Sequence, residues 1–163
     1  MKRHPALQDL SRDHFHVLFR CQRFRKVMQD PSAKLVPLVQ EFVAFFDSDM
    51  SPHFTEEDDL VLPLAEKLEG LAKIARRTRE EHKRLRELIG ELRSIRTDKA
   101  ARVALTRLEP MITEHVHMEE ANLFEGVQTH LSPEVLEDLR LRSLEFRTKN
   151  RAPDAIGPRP GRG

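Results

Sequence analysis

A single cysteine, Cys21, stands among 163 residues, so no intramolecular disulfide can form and a thiolate-rich metal site is excluded. No apolar run approaches the ~20 residues that a membrane-spanning helix needs. The first residues, Met1-Lys2-Arg3-His4-Pro5, lead into charged helix and not into an apolar signal region, so the expectation is a soluble, cytoplasmic protein away from the membrane. The formal net charge is only +1, which gives no bulk attraction to nucleic acid. The basic run Lys73, Arg76, Arg77 and Arg79 alternates with Glu80 and Glu81 and lacks interleaved aromatics. It reads as a solvated helix face, and no nucleic-acid partner is expected. Sustained alternation and paired turn dipeptides are missing too, which removes the β classes.

What is present fits amphipathic helices, with 34% charged and 39% hydrophobic residues. Residues 6–29 place Leu7, Leu10, His14, Val17, Leu18, Cys21, Phe24 and Met28 on one helical face, with His16 pointing elsewhere. Asp30-Pro31-Ser32 breaks this helix and offers a cap for the second, which carries Leu35, Leu38, Val39, Phe42, Val43, Phe45 and Phe46; Pro37 is another candidate start. Pro52 is placed to kink this helix and Pro63 to tighten or end it.

Residues 66–96 predict one long third helix with Leu68, Leu71, Thr78, His82, Leu85 and Leu92 inward. Thr97-Asp98 caps a fourth, with Val103, Leu105, Leu108, Ile112 and His115 inward. Ser132-Pro133 opens a short fifth, with Val135, Leu136, Leu139, Leu144 and Phe146 free to pack on the rest. The expected fold is all-α, an antiparallel up-down four-helix bundle over residues 1–146 with a short C-terminal extra helix, followed by a disordered basic tail over 147–163.

The chemistry lies in a repeat. His53 and Glu57 are four residues apart and share a helix face, and the frame H-x-x-x-E-E or H-x-x-x-E-D recurs with His115 and Glu119. Each copy has a further His upstream behind an acidic residue, in Asp13-His14 and Glu81-His82. Any one of these residues can be a core histidine or a polar helix face. As a set they resist that reading, because burying several imidazoles and carboxylates in one bundle without a cation is costly.

His130 and Glu134 show the same spacing but are split by the helix start at Pro133, so they are discounted. His4, His16, His117 and His130 are assigned to surface or loop, and Glu56 and Glu120 to solvent or to positions beside the ligands. A ferritin-like site needs Glu-x-x-His from two helices, and Glu114-His117 supplies one pair only.

On the two motif copies the chain resembles the hemerythrin-like, or HHE cation-binding, domains over roughly residues 5 to 130. The resemblance implies a four-helix bundle around a non-haem di-iron centre, the two irons oxo- or hydroxo-bridged. The implied ligands are His14, His53, Glu57, His82, His115 and Glu119, with Glu57 and Glu119 bridging. Mixed imidazole and carboxylate donors suit iron, with manganese or zinc as substitutes.

Oxygen-carrying members place another His one turn before the residue matched by His82, and Thr78 stands there instead. A hydroxyl is a poor iron ligand, so one metal keeps an open position. The implied function is binding or sensing of dioxygen or a related small molecule, nitric oxide or peroxide, in place of reversible carriage. The alternatives are a di-iron oxidoreductase or iron-centre repair and iron-donating protein, and a metal-dependent interaction module whose output is the fifth helix and tail. No catalytic residue is singled out and a protein partner is left undefined.

Overall fold

A computed structural model describes residues 2–150. Among these residues there is no strand, and five helices follow in order: α1 (Pro5–Val27), α2 (residues 36–65), α3 (Ala72–Leu92), α4 (residues 98–130) and α5 (Pro133–Asn150). Local chemistry sets most of the ends. Pro5 at the first turn of α1 has no N–H to leave unpaired, and His4 Nδ1 accepts from the Ala6 N–H. Thr97 accepts from the Ala100 N–H at the start of α4.

The cap of α2 is not Ser32, whose own N–H is held by Asp30. Asp98, the first residue of α4, reaches across to accept from the N–H groups of Leu35 and Val36 at 2.7 and 3.0 Å. Pro37 in the first turn marks the true start of that helix.

Third-helix periodicity from residue 66 onward is interrupted in the structure. Residues 66–71 form turns, Gly70 takes φ +82°, and α3 begins only at Ala72. That conformation costs glycine little because it has no Cβ. Gly126 serves α4 differently: a Cβ there would lie 2.6 Å from Leu71 Cδ2, so the missing side chain lets α4 approach the turn.

α1 packs on α4 and α5, and α3 packs on α2 and α4, while α5 lies across α1 and the second half of α2. Two apolar clusters fill the bundle. One is built on Phe24, Phe42, Phe46, Phe54, Ile89 and Leu105, the other on Leu7, Leu10, Leu62, Phe124, Val127 and Leu139. Along every bundle helix the two are separated by polar positions: His14 on α1, His53 to Glu57 on α2, Thr78 and His82 on α3, and His115 to Glu119 on α4. A polar layer thus crosses a bundle that is apolar above and below. Each fully buried Leu or Phe stabilises by about 1.5–3 kcal/mol, which is how the fold tolerates that layer.

Some inward assignments change. Val103 and Leu144 point outward, at 59% and 56% exposure, because neighbouring positions of the same helices, Ala101 and Leu105 on α4 and Leu136 and Leu139 on α5, fill the core. α5 is longer than expected and runs through Arg147 to Asn150, past the anticipated boundary at 146. The basic tail beyond it, residues 151–163, lies outside the described residues.

Candidate metal centre

The six side chains singled out by the repeat meet in the polar layer. His53, Glu57, His82 and Glu119 are fully buried, and His14 and His115 nearly so. His14, His53, Glu57 and Glu119 offer donor atoms within 4.8 Å of one another, and so do His82, His115 and Glu119. Each group can hold a metal ion.

The two carboxylates reach both groups. Glu57 Oε2 lies 3.3 Å from His53 Nε2 and 3.2 Å from His82 Nε2. Glu119 places Oε2 3.1 Å from His14 Nε2, and Oε1 3.3 and 3.4 Å from the Nε2 atoms of His115 and His82.

These contacts are near but not aligned as hydrogen bonds: both oxygens of Glu57 and of Glu119, and Nε2 of His82 and His115, have no hydrogen-bond partner. Buried polar atoms are normally satisfied. Six unsatisfied atoms gathered in one buried layer therefore fit a cation site, and the imidazole and carboxylate donor set suits a transition metal.

The opposite ring edges strengthen this reading. Each of the four histidines in the layer has Nδ1 on a carboxylate: His14 on Glu120 at 2.7 Å, His53 on Asp13 at 3.2 Å, His82 on Asp58 at 2.9 Å, and His115 on Glu81 at 2.8 Å. An Nδ1–H donated outward fixes the tautomer and turns the Nε2 lone pair inward. His14 and His53 then bring Nε2 atoms within 3.1 Å of each other, and two lone pairs facing at that distance repel unless a proton or a metal ion lies between them.

The pairing follows the repeat. The acidic residue before each upstream His (Asp13, Glu81) holds the downstream His of its own half, and the one after each Glu (Asp58, Glu120) holds the upstream His of the other half. Glu120 thus stands behind His14. Glu56 does not serve a histidine; it is buried and takes Ser143 and Arg147 of α5. Sequence spacing gave a place beside the ligands as one of two alternatives for Glu120 and missed the roles of Asp13, Asp58 and Glu81, although the acidic residues flanking His and Glu in both copies were a visible signal.

The backbone adapts at the same places. π-helical turns occupy Phe46–Met50, Glu57–Val61 and Glu119–Phe124. The first two end just ahead of Ser51-Pro52 and Leu62-Pro63, where Ser51 and Leu62 donate five residues back to Phe46 and Glu57. Both prolines sit just after a widened turn that accommodates the missing N–H, and the helix runs on only to Ala65 after Pro63. No proline follows the third. What Glu57–Val61 and Glu119–Phe124 share is the inward carboxylate at their first residue, and such turns concentrate at functional sites.

Charge in the layer is divided between the two halves. Burial by itself lowers the His14 imidazole, but the Glu119 and Glu120 carboxylates outweigh it and raise it to about 10. Burial and the neighbouring Glu57 charge push Glu119 up, yet His115, His14 and His82 hold it down at about 2. Glu57, against the same burial, is held well below its ordinary value by His53 and His82.

The sign of the pH dependence follows. His14 stabilises the metal-free fold fully below 6.5, and the contribution is lost as pH rises through about 10. Glu119 contributes above 4.5, and this is lost as pH falls through about 2. At neutral pH an entering cation must displace the His14 proton. Metal uptake in weak buffer is therefore expected to acidify the solution, and apparent affinity to rise with pH up to about 10. Chelator competition between pH 6 and 9 checks this; an affinity independent of pH would contradict it.

A family model described as the hemerythrin HHE cation binding domain matches residues 6–127. Comparison with curated proteins and with solved structures returns no match.

Proposed function

Since the chain belongs to the hemerythrin HHE cation-binding family, we propose that it is a di-iron protein that binds or senses dioxygen or a related small molecule such as nitric oxide or peroxide. His14 and His53 would hold one cation and His82 and His115 the other, with Glu57 and Glu119 within reach of both. A bound iron pair would supply reversible one-electron chemistry.

The chain supplies the rest. Phe54 stacks on His82 with ring centroids 4.1 Å apart and Phe124 on His14 at 5.3 Å, so both rings are fixed and shielded from water. The observation that carries the proposal is an apolar cavity beside His115. It is lined by Val17, Met50, Phe54, Leu85 and Ile112 among others, with about 10 Å³ of room for the centre of a water-sized molecule. The apolar lining offers water no hydrogen-bond partner and suits dioxygen or nitric oxide better than an ion. Thr78 favours an accessible metal: it is fully buried, on the same face as His82 and one turn before it, and its hydroxyl has no partner.

Anaerobic loading with iron(II) followed by air is expected to produce the near-ultraviolet charge-transfer bands of a di-iron(III) centre, altered by azide, with nitric oxide changing the reduced form. A loaded protein with no such bands, indifferent to both ligands, would refute the reading. Sustained turnover with a reductant would move it to the oxidoreductase class.

A further inference from the structure

Behind each histidine–carboxylate pair stands an arginine. Arg3 meets Glu120 at 2.6 Å and Arg147 meets Asp13 at 3.0 Å, serving His14 and His53. Arg86 meets Asp58 at 3.1 Å and Arg77 meets Glu81 at 2.6 Å, serving His82 and His115. The four chains of arginine, carboxylate and imidazole look alike, but they are carried by different parts of the fold.

Arg77 and Arg86 both lie on α3, inside the bundle, so releasing them from their carboxylates by backbone motion means unwinding a core helix. Arg3 precedes α1, and Arg147 lies on α5, which packs on the outside of the bundle and beyond the family match. Elements of that kind open at much lower free energy than core helices. The two outer arginines are also the better buried, at 20% and 12% exposure against 36% for Arg86 and 59% for Arg77. Their ion pairs are less screened by solvent, so losing them perturbs the carboxylate more.

Arg147 is the more constrained of the pair. Its guanidinium sits between Asp13 and Glu56, and the Asp13 oxygen it binds is the one that faces His53 Nδ1. Ser143, one turn earlier on α5, fixes the other side of the junction by donating to Glu56 at 2.5 Å.

We propose that the two cations are held unequally: the one at His14 and His53 exchanges first, with Arg147 and Arg3 as positioning residues that latch it, while the one at His82 and His115 is retained by α3. This rests on the di-iron reading above. Lifting α5 takes Arg147 from Asp13, lets water reach that carboxylate and loosens His53; α5 also packs on the Glu57–Val61 turn, but Arg86 and Arg77, which hold Asp58 and Glu81, stay in place on α3. One exchangeable cation beside a retained one suits passage of iron(II) to a metal-poor acceptor.

The test is release kinetics. Protein loaded anaerobically with iron(II) is mixed with a coloured iron(II) chelator, and the wild type is expected to release its iron in two phases of equal amplitude. Arg147→Gln should speed the first phase about tenfold, the lower end of the range for partners of metal-ligating histidines, and leave the second unchanged. Arg86→Gln should speed the second alone. Arg147→Lys, which keeps the charge but not the fork, should recover part of the loss and also serves if the glutamine variant fails to fold. Ser143→Ala loosens α5 while sparing the Arg147–Asp13 pair and should have the smaller effect.

A single release phase in the wild type overturns the proposal. So does an Arg147→Gln protein, or failing that an Arg147→Lys protein, in which both phases shift together or neither does, or a Ser143→Ala effect as large as that of Arg147→Gln. A wild type that takes up no iron defeats the di-iron reading itself, a different result from two ions released at one rate.

Discussion

Replacement of Glu119 by alanine is expected to strip both cations from the protein. Its two oxygens are divided between the groups, Oε2 toward His14 and Oε1 toward His115 and His82, so no other single side chain except Glu57 touches both. Loss of a partner behind a ligand typically costs 10- to 100-fold in metal affinity, and loss of a shared ligand should cost more than about 100-fold at each position. The metal-free fold should weaken as well, by about 3–5 kcal/mol, because His14, His82 and His115 lose the charge that offsets their burial. Glu120→Ala makes the comparison, since Glu120 stands behind His14 alone and should weaken one site. Metal content after gel filtration reads both variants; an E119A protein that keeps two ions per chain would remove the shared-carboxylate assignment.

Phe54→Ala should be the most damaging single change to an apolar residue. The ring is almost fully buried, stacks on His82 at 4.1 Å with planes 13° apart, and meets Phe46 edge-on at 5.6 Å. Arg86, which also holds Asp58, lies 5.4 Å from its centroid. Phe-to-Ala changes in cores cost about 3–5 kcal/mol, roughly 10 °C in melting temperature for a chain of this size. The cavity beside His115 would merge with the space vacated. Water entering there should raise the rate at which iron leaves the His82–His115 position, the reverse of the Arg147→Gln pattern. Thermal denaturation of the metal-free and loaded forms measures the first effect, and a loss under 1 kcal/mol would show that the ring is not needed for packing.

Much of this candidate centre could be read from the chain because its candidate ligands come in helical registers. His53 with Glu57 and His115 with Glu119 are four apart, so a helix must put each pair on one side, and the matching upstream histidines His14 and His82 sat in apolar stripes. The carboxylates that orient the rings were harder. Asp13 serves His53 and Glu81 serves His115 across a connection whose course no periodicity reveals, and Asp58 and Glu120 cross between halves. Val103 and Leu144 were misplaced for a related reason: an apolar residue near the edge of a stripe turns in or out according to the neighbour it meets. The break at residues 66–71 was obscured because Leu68 and Leu71 keep helical spacing in a segment that Gly70 turns out of the helix.

Sequence by itself determined the helical class, the repeat and the six inward donors, since helix geometry maps residue spacing directly onto a face. Tertiary structure decided which acid supports which imidazole, which arginine supports which acid, and that α5 belongs to the site at all. Those relations join residues as far apart as Arg147 and Asp13. They depend on how helices lie against one another, and a one-dimensional pattern that fixes each helix separately does not encode that.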